Sequence, residues 1–222
     1  MPATPISNPT LIEATARFVK KELERSEGGH DWFHIERVWK NTRLLLQTET
    51  HADPEIAQLG ALLHDIADSK FHGGNEDIGP EIAATFLRSR RMEEEMVQRV
   101  VFIVRNISFK GGHGIKENLT PELQIVQDAD RLDAIGAIGI ARAFHYGGFK
   151  DRRLYDPEIP PNLQMSREAY KSSSSPTLNH FYEKLLLLKD QMHTATARKL
   201  AEERHRYLEG FLDQFLKEWD PV

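Results

Sequence analysis

Residues 53–68 read DPEIAQLGALLHDIAD, and this stretch indicates a buried helix that is interrupted by polar chemistry. Asp53 and Pro54 form a typical helix start, because Asp is a favoured N-cap and proline is tolerated at the first helical position. The following residues are apolar or small on most sides, as in a central helix. His64 and Asp65 then stand where leucine or alanine would continue the pattern. Because burying an unpaired carboxylate costs several kcal/mol, a bound cation is the simplest compensation.

Helical spacing of apolar residues recurs on both sides of this stretch, and strand-like alternation is absent, so we predict an all-α fold. Asp31 is the expected N-cap of a helix that carries His34 on its buried stripe. Gly136 and Gly139 should allow a neighbouring helix to approach closely. The predicted helices run from Pro9, after Asn8 as N-cap, to Gly28–Gly29; from Asp31 through Leu46; from Asp53; over Ile78–Arg90 and Glu93–Arg105; from Thr120 and Pro121 to Leu132; over Ala134–Tyr146, ending at Gly147–Gly148; and over Leu178–Asp190 and Ala195–Trp219.

Residues 147–176 are polar, contain four prolines and include the run Ser172–Ser175. We interpret this segment as a lid or surface excursion within a single domain that spans residues 1–222, because the helix after it is too apolar to stand alone.

Composition excludes several classes of function. The chain has 29 Lys plus Arg against 34 Asp plus Glu, a net charge of −5, so we expect no nucleic acid polymer as partner. It has no cysteine, which removes disulfides, thiolate nucleophiles and Cys-based zinc sites. The N-terminus lacks a signal pattern and no apolar run is long enough for a membrane span, so we expect a cytoplasmic protein without membrane contact.

Two histidines and two aspartates, in helix-like sequence far apart in the chain, are the candidate metal ligands. Their mixed nitrogen and oxygen atoms suit one divalent cation such as Mn, Mg, Ni, Co, Fe or Zn. Each has an ordinary alternative, since a lone buried histidine is usually a hydrogen-bonded core residue and a lone Asp is often a cap. The four residues are His34, His64, Asp65 and Asp130.

Three segments resemble the motifs of the HD-domain metal-dependent phosphohydrolases: HDWFHIERVW (30–39), ALLHDIADSKF (61–71) and QDADRLDAIGAIGIARAF (127–144). The sequence GGF (147–149), followed by HFYEKLLLLKDQMHTATARKLAEER (180–204), is similar to a bacterial subgroup of small HD hydrolases. The resemblance implies an HD-domain helical bundle with His34, His64, Asp65 and Asp130 as metal ligands. Within the subgroup, some members resemble nucleotide pyrophosphatases that cut (deoxy)nucleoside triphosphates to the monophosphate and pyrophosphate.

Four protein ligands on an octahedral ion leave about two positions for a phosphate oxygen and a water. Asp68 lies four residues after His64 and three after Asp65, so on a helix it shares their face. It could orient the water, accept its proton or brace His64; alternatively it pairs with Lys70. Lys70 is the first candidate to hold a phosphate oxygen.

Five other basic residues are weaker candidates for substrate binding, and each could instead be a solvated surface charge. Arg37 could pair with Glu36 or Asp31, and Asp133 could support the site or bind Arg131. The five are Arg37, Arg105, Lys110, Arg131 and Lys184.

HD enzymes with two metals insert further histidines between the HD pair and the last Asp. Here His72 and His113 lie in glycine-rich loops and not on apolar helices, so we expect one metal.

The leading hypothesis is therefore a mononuclear phosphohydrolase acting on a nucleotide. The alternatives are a nucleoside monophosphate phosphatase, a dinuclear phosphodiesterase or oxygenase, and a nucleotide-binding regulator without turnover. Base and sugar preference depend on the shape of the substrate pocket, and metal availability selects among the cations that this donor set accepts.

Overall fold

The computed structural model describes residues 10–24, 31–67, 75–107, 119–164 and 174–221. Over these residues the chain forms helices joined by turns, with no strand, which confirms the all-α prediction. Two short 3-10 turns, Leu185–Leu187 and Lys189–Gln191, precede the last helix. The α-helices are α1 (Leu11–Glu22), α2 (Trp32–Leu45), α3 (Pro54–Leu63), α4 (Ile78–Ser89), α5 (Glu94–Asn106), α6 (Pro121–Asp133), α7 (Gly136–Phe149), α8 (Asn179–Glu183) and α9 (Ala195–Trp219).

Helix α3 is the centre of the bundle and packs against α1, α2, α5 and α6. Gly60 allows α5 to approach, since a Cβ there would lie 2.8 Å from Ile103 Cδ1. Each fully buried leucine or isoleucine contributes roughly 1.5–3 kcal/mol to folding, so α3 is a main source of stability. Its buried residues are Ile56, Ala57, Leu59, Gly60, Ala61, Leu62 and Leu63.

Side-chain caps set the starts of the helices that bear the site. The Asp31 carboxylate accepts a hydrogen bond from the His34 backbone N–H at 3.0 Å, as expected for the N-cap of α2. Asp53 caps α3 in the same way. Thr120 caps α6 by accepting from the Leu123 N–H, with proline at the next position. These three predicted starts are confirmed.

Helix α1 differs from its prediction. Its N-cap is Thr10, whose hydroxyl accepts from the Glu13 N–H while the Glu13 carboxylate accepts from the Thr10 N–H. This reciprocal capping box satisfies two free backbone donors and makes Thr10 the N-cap, whereas the predicted start at Asn8 and Pro9 lies outside the described residues. The helix also ends at Glu22, before the predicted stop at Gly28–Gly29.

Helix α7 begins two residues later than predicted, because Ala134 caps the C-terminus of α6. Gly136 has a φ of +74°, which glycine adopts easily, and a Cβ there would lie 3.1 Å from the Arg204 side chain on α9. The predicted close approach at Gly136 is therefore confirmed. The helix continues through Gly147 and Gly148 to Phe149, so the predicted end at these glycines is wrong.

The segment predicted as one helix, Leu178–Asp190, is instead α8 followed by the two 3-10 turns. Lys184 leaves the helical conformation, with φ −143° and ψ −57°. Phe181, Leu185 and Leu188 are nevertheless buried, so the short turns place in the core the apolar residues whose spacing indicated a helix.

The predicted excursion at 147–176 is helical in its first three residues, and its described parts are residues 147–164 and 174–176. The carbonyl oxygens of Arg153 and Leu154 accept hydrogen bonds from the N–H groups of Thr177 and Leu178, both at 2.9 Å. These bonds hold the start of the excursion beside its end.

Within the described residues, one cluster of buried apolar side chains extends from Val19 on α1 to Leu212 on α9. Asp128, fully buried on α6, accepts from the backbone N–H groups of His193 and Thr194 and so fixes the start of α9 against α6. Among the helices that the structure describes, none is both long and apolar enough for a membrane span.

Candidate metal centre

Three helices bring the predicted ligands together. His34 lies in the first turn of α2, His64 is the C-cap residue of α3 with Asp65 directly after it, and Asp130 lies in the last turn of α6. Helices α2, α3 and α6 pack against one another in pairs. The polar residues that interrupt three apolar helices therefore meet where those helices meet.

The ligand atoms of His34, His64 and Asp130 all lie within 4.8 Å of one another. His34 Nε2 is 3.3 Å from His64 Nε2 and 3.5 Å from Asp130 Oδ1, and His64 Nε2 is 3.9 Å from Asp130 Oδ1. Asp65 lies beside this trio, with its Oδ2 atom 3.8 Å from His34 Nε2. Neighbouring ligands of a small octahedral cation are about 3 Å apart, so the donor set fits one divalent ion.

Hydrogen bonds at the far side of each ring determine which nitrogen faces this centre. His34 Nδ1 lies 2.8 Å from Asp133 Oδ2, and His64 Nδ1 lies 2.8 Å from the Ala61 carbonyl oxygen. Because an ionised carboxylate and a carbonyl only accept, both Nδ1 atoms carry the proton. The two Nε2 lone pairs then face each other across 3.3 Å, an arrangement that a shared cation would stabilise.

Burial divides the site into a closed side and an open side. His34 and His64 are 1% and 6% exposed, whereas the side chains of Asp65 and Asp130 are 22% and 34% exposed. Burial lowers the pKa of His34, and its hydrogen bond to Asp133 offsets this only in part. Burial thus favours the neutral form of His34, the form that binds a metal, and the carboxylates border the solvent from which a substrate would enter.

Asp133 is the most heavily bonded acid in the site. Arg37 donates from Nε to Oδ1 at 2.6 Å and from Nη2 to Oδ2 at 3.0 Å, and Arg142 donates from Nη1 to Oδ2 at 2.9 Å. Burial alone would raise the pKa of this carboxyl, but the hydrogen bonds from His34 and Arg37 outweigh it and hold the pKa well below its usual range. The Asp133 carboxylate is therefore ionised and accepts a hydrogen bond from the Nδ1 atom of His34.

The predicted substrate-binding arginines have other partners. Arg37 donates its hydrogen bonds to Asp133. Its expected alternative partners were Glu36 and Asp31. Arg131 is not a solvated surface charge, because it is largely buried and donates to the Gln191 carbonyl at 2.6 Å. It does not bond Asp133.

Arg105 pairs with Asp77 at 3.2 Å in an exposed ion pair, and Lys184 is the C-cap residue of α8. Several other residues singled out from the sequence lie outside the described residues, so the structure gives no account of them: Asp68, Lys70, Lys110, His30, His72 and His113.

Arg142 was not among the predicted site residues. It is the only Lys, Arg, Asp or Glu residue of α7, GAIGIARAFHYGGF, and a lone arginine in a helix of mostly small and apolar residues was the available signal. Its partner, Asp133, lies on the preceding helix.

The chain is similar to proteins that share one family. A family model described as HD domain matches residues 32–135. The Bacillus subtilis protein YpgQ is 38% identical over 209 residues, which cover 93% of this chain and 92% of YpgQ. A solved structure of an HD-superfamily hydrolase from Bacillus thuringiensis is 44% identical, with TM-score 0.72, covering 95% of this chain and 97% of the other. The structure of Bacillus subtilis YpgQ in complex with ADP aligns with TM-score 0.71 and 32% identity, covering 95% and 98% of the two chains.

Proposed function

The chain belongs to the HD domain family of metal-dependent hydrolases, and we propose that it hydrolyses nucleotides, cutting (deoxy)nucleoside triphosphates to the monophosphate and pyrophosphate. One observation supports the metal dependence of this activity: the ligand atoms of His34, His64 and Asp130 lie within 4.8 Å of one another. The complex of YpgQ with ADP supports a nucleotide as the ligand.

In this proposal His34, His64, Asp65 and Asp130 hold one divalent cation. When bound, the cation would polarise a phosphoryl group and lower the pKa of an attacking water. The buried imidazoles keep water away from the rear of the site, while the partly exposed carboxylates of Asp65 and Asp130 border the substrate.

Further groups complete the proposed site. Asp68 would orient the water or accept its proton, because it lies four residues after His64. Lys70 would neutralise phosphate charge, with Arg105, Lys110 and Lys184 as additional candidates. Arg37 and Arg131 are already hydrogen-bonded within the protein, which favours a structural contribution from both.

The test is turnover of a nucleotide panel by protein loaded with Mn²⁺, with the products separated by chromatography. We expect monophosphate and pyrophosphate in equal amounts. His64→Ala and Asp130→Asn should each lower kcat/KM by at least about 100-fold, because each removes a proposed ligand. Glu94→Gln is the matched control, since this exposed carboxylate pairs only at the surface with Arg88 and Gln98, and it should retain wild-type turnover.

Release of neither pyrophosphate nor orthophosphate from any nucleotide would contradict the proposal. Orthophosphate from a monophosphate would instead identify a phosphomonoesterase, and a metal content near two ions per chain would favour a dinuclear enzyme.

A further inference from the structure

Asp133 is not a proposed metal ligand, but its carboxylate lies directly behind one. We propose that Asp133 is a positioning residue that fixes the tautomer and orientation of the His34 ring, so that Nε2 faces the metal centre. The inference rests on the proposed metal site and deepens it, because it explains how a ligand on α2 is set by a residue on α6.

The hydrogen bond at Nδ1 determines which nitrogen of the His34 ring carries the proton. Asp133 is 2% exposed and its Oδ2 atom lies 2.8 Å from His34 Nδ1. An ionised carboxylate has no proton to give, so the proton of the neutral ring lies on Nδ1. The Nε2 lone pair is then directed toward His64, Asp65 and Asp130, which lie 3.3, 3.8 and 3.5 Å away.

Two arginines hold the Asp133 carboxylate in place. Arg37 on α2 binds both of its oxygens, and Arg142 on α7 binds Oδ2, where the His34 ring also bonds. Three donors thus converge on Oδ2 and one on Oδ1. Rotation of the carboxylate away from His34 would break bonds to both guanidinium groups, so the acceptor stays in place.

His64 differs from His34 in the group that accepts the hydrogen bond of its Nδ1 atom. Its Nδ1 bonds to the carbonyl oxygen of Ala61, three residues earlier on its own chain, at 2.8 Å. A backbone acceptor determines that tautomer whatever the side chains are. Only His34 depends on another residue's side chain, so the two rings should respond differently to one substitution.

The experiment measures imidazole tautomers in metal-free protein by two-bond ¹H–¹⁵N correlation. The His34 signals are assigned from their absence in His34→Gln. We expect the wild type to carry the proton on Nδ1 in both rings. Asp133→Ala should move the His34 proton largely to Nε2 and leave His64 unchanged. It should also weaken Mn²⁺ binding, measured by calorimetry without substrate, by about 10–100-fold, as is typical when the partner of a ligating histidine is lost.

Two further variants separate positioning from folding. Asp133→Asn keeps one oxygen, which the three convergent donors should draw to the Oδ2 position, so it should restore the Nδ1 proton and most of the Mn²⁺ affinity. Glu122→Ala is the matched control, because it removes another buried carboxylate of α6, one that accepts from the Asp53 N–H at 2.9 Å and from Arg99 at 3.1 Å. It should leave both histidine tautomers and the Mn²⁺ affinity unchanged.

A wild-type His34 with its proton on Nε2 would overturn the proposal, and this measurement needs no variant to fold. Three other results would also overturn it. They are wild-type Mn²⁺ affinity in Asp133→Ala, loss of the Nδ1 proton of His34 in Asp133→Asn, and a loss of Mn²⁺ affinity in Glu122→Ala as large as that in Asp133→Ala. These measurements use no nucleotide. Absence of nucleotide turnover would therefore contradict only the proposed function and not the role of Asp133. If the wild type does not bind Mn²⁺, the proposed metal site is wrong. The tautomer measurement alone then tests whether Asp133 positions the His34 ring.

Discussion

At the level of single residues, burial lowers the pKa of two imidazoles, those of His34 and His193, in different surroundings. His34 faces the metal centre, and burial lowers its pKa. His193 lies between α6 and α9, where its Nε2 accepts from Arg131 Nη1 at 2.9 Å. Burial, followed by the charges of Arg131 and Arg198, lowers the pKa of His193 to about 4. A protonated His193 would lose its bond to Arg131 and gain a like-charge contact.

This pKa shift predicts a stability that depends on pH. The pKa of His193 falls from 6.5 when unfolded to about 4 when folded, so the unfolded chain binds more protons between these values. Its contribution is complete above pH 6.5 and is lost as the pH falls toward 4. Because the ring is partly exposed, we expect about 1–2 kcal/mol.

The measurement is urea unfolding of metal-free protein at pH 7.5 and pH 5. The loss of unfolding free energy on acidification should be about 1 kcal/mol smaller in His193→Gln than in the wild type. Equal losses in the two proteins would show that His193 does not titrate with folding.

At the scale of elements, α7 packs against the start of α8 through a glycine. A Cβ at Gly147 would lie 2.1 Å from the hydroxyl oxygen of Thr177, a residue that is 3% exposed. The next glycine, Gly148, has nothing within 4 Å of the same position. The two neighbours in one helix therefore have opposite packing requirements.

We predict that Gly147→Ala lowers the free energy of unfolding by about 1–3 kcal/mol, because Thr177 must move to admit the methyl group. Gly148→Ala should leave stability unchanged or raise it by up to about 1 kcal/mol, since alanine favours the helix and meets no atom. Denaturant unfolding of the pair gives the comparison. Equal effects of the two substitutions would mean that α7 and Thr177 do not pack as described.

At the scale of the whole molecule, the candidate metal centre lies where α2, α3 and α6 meet, next to the most buried helix of the bundle. A cation bound by residues of three helices would link them in the folded state and find no such arrangement in the unfolded chain. Metal binding should therefore add to global stability as well as to chemistry.

We predict that Mn²⁺ at about 100 times its dissociation constant stabilises the wild type by about 2.7 kcal/mol. For a chain of this size that corresponds to a rise in Tm of about 5–10 °C, which excess EDTA should reverse. Thermal unfolding followed by circular dichroism measures the rise. Asp130→Asn should show less than half of it, and a Tm that does not respond to Mn²⁺ in the wild type would argue against a metal centre.

Local sequence patterns predicted the helical class and the caps at Asp31, Asp53 and Thr120, and they singled out His34, His64 and Asp130, whose ligand atoms converge in the structure, with Asp65 beside them. These features are local: apolar spacing, cap chemistry and polar residues in apolar helices can each be read within a few turns of chain. The tertiary structure alone decided that Asp133 binds Arg37 and Arg142, that Leu178–Asp190 breaks at Lys184, and that Gly147 meets Thr177. The physical reason is that Arg37 and Asp133 are 96 residues apart, and packing of the whole chain, not local spacing, selects partners over that distance.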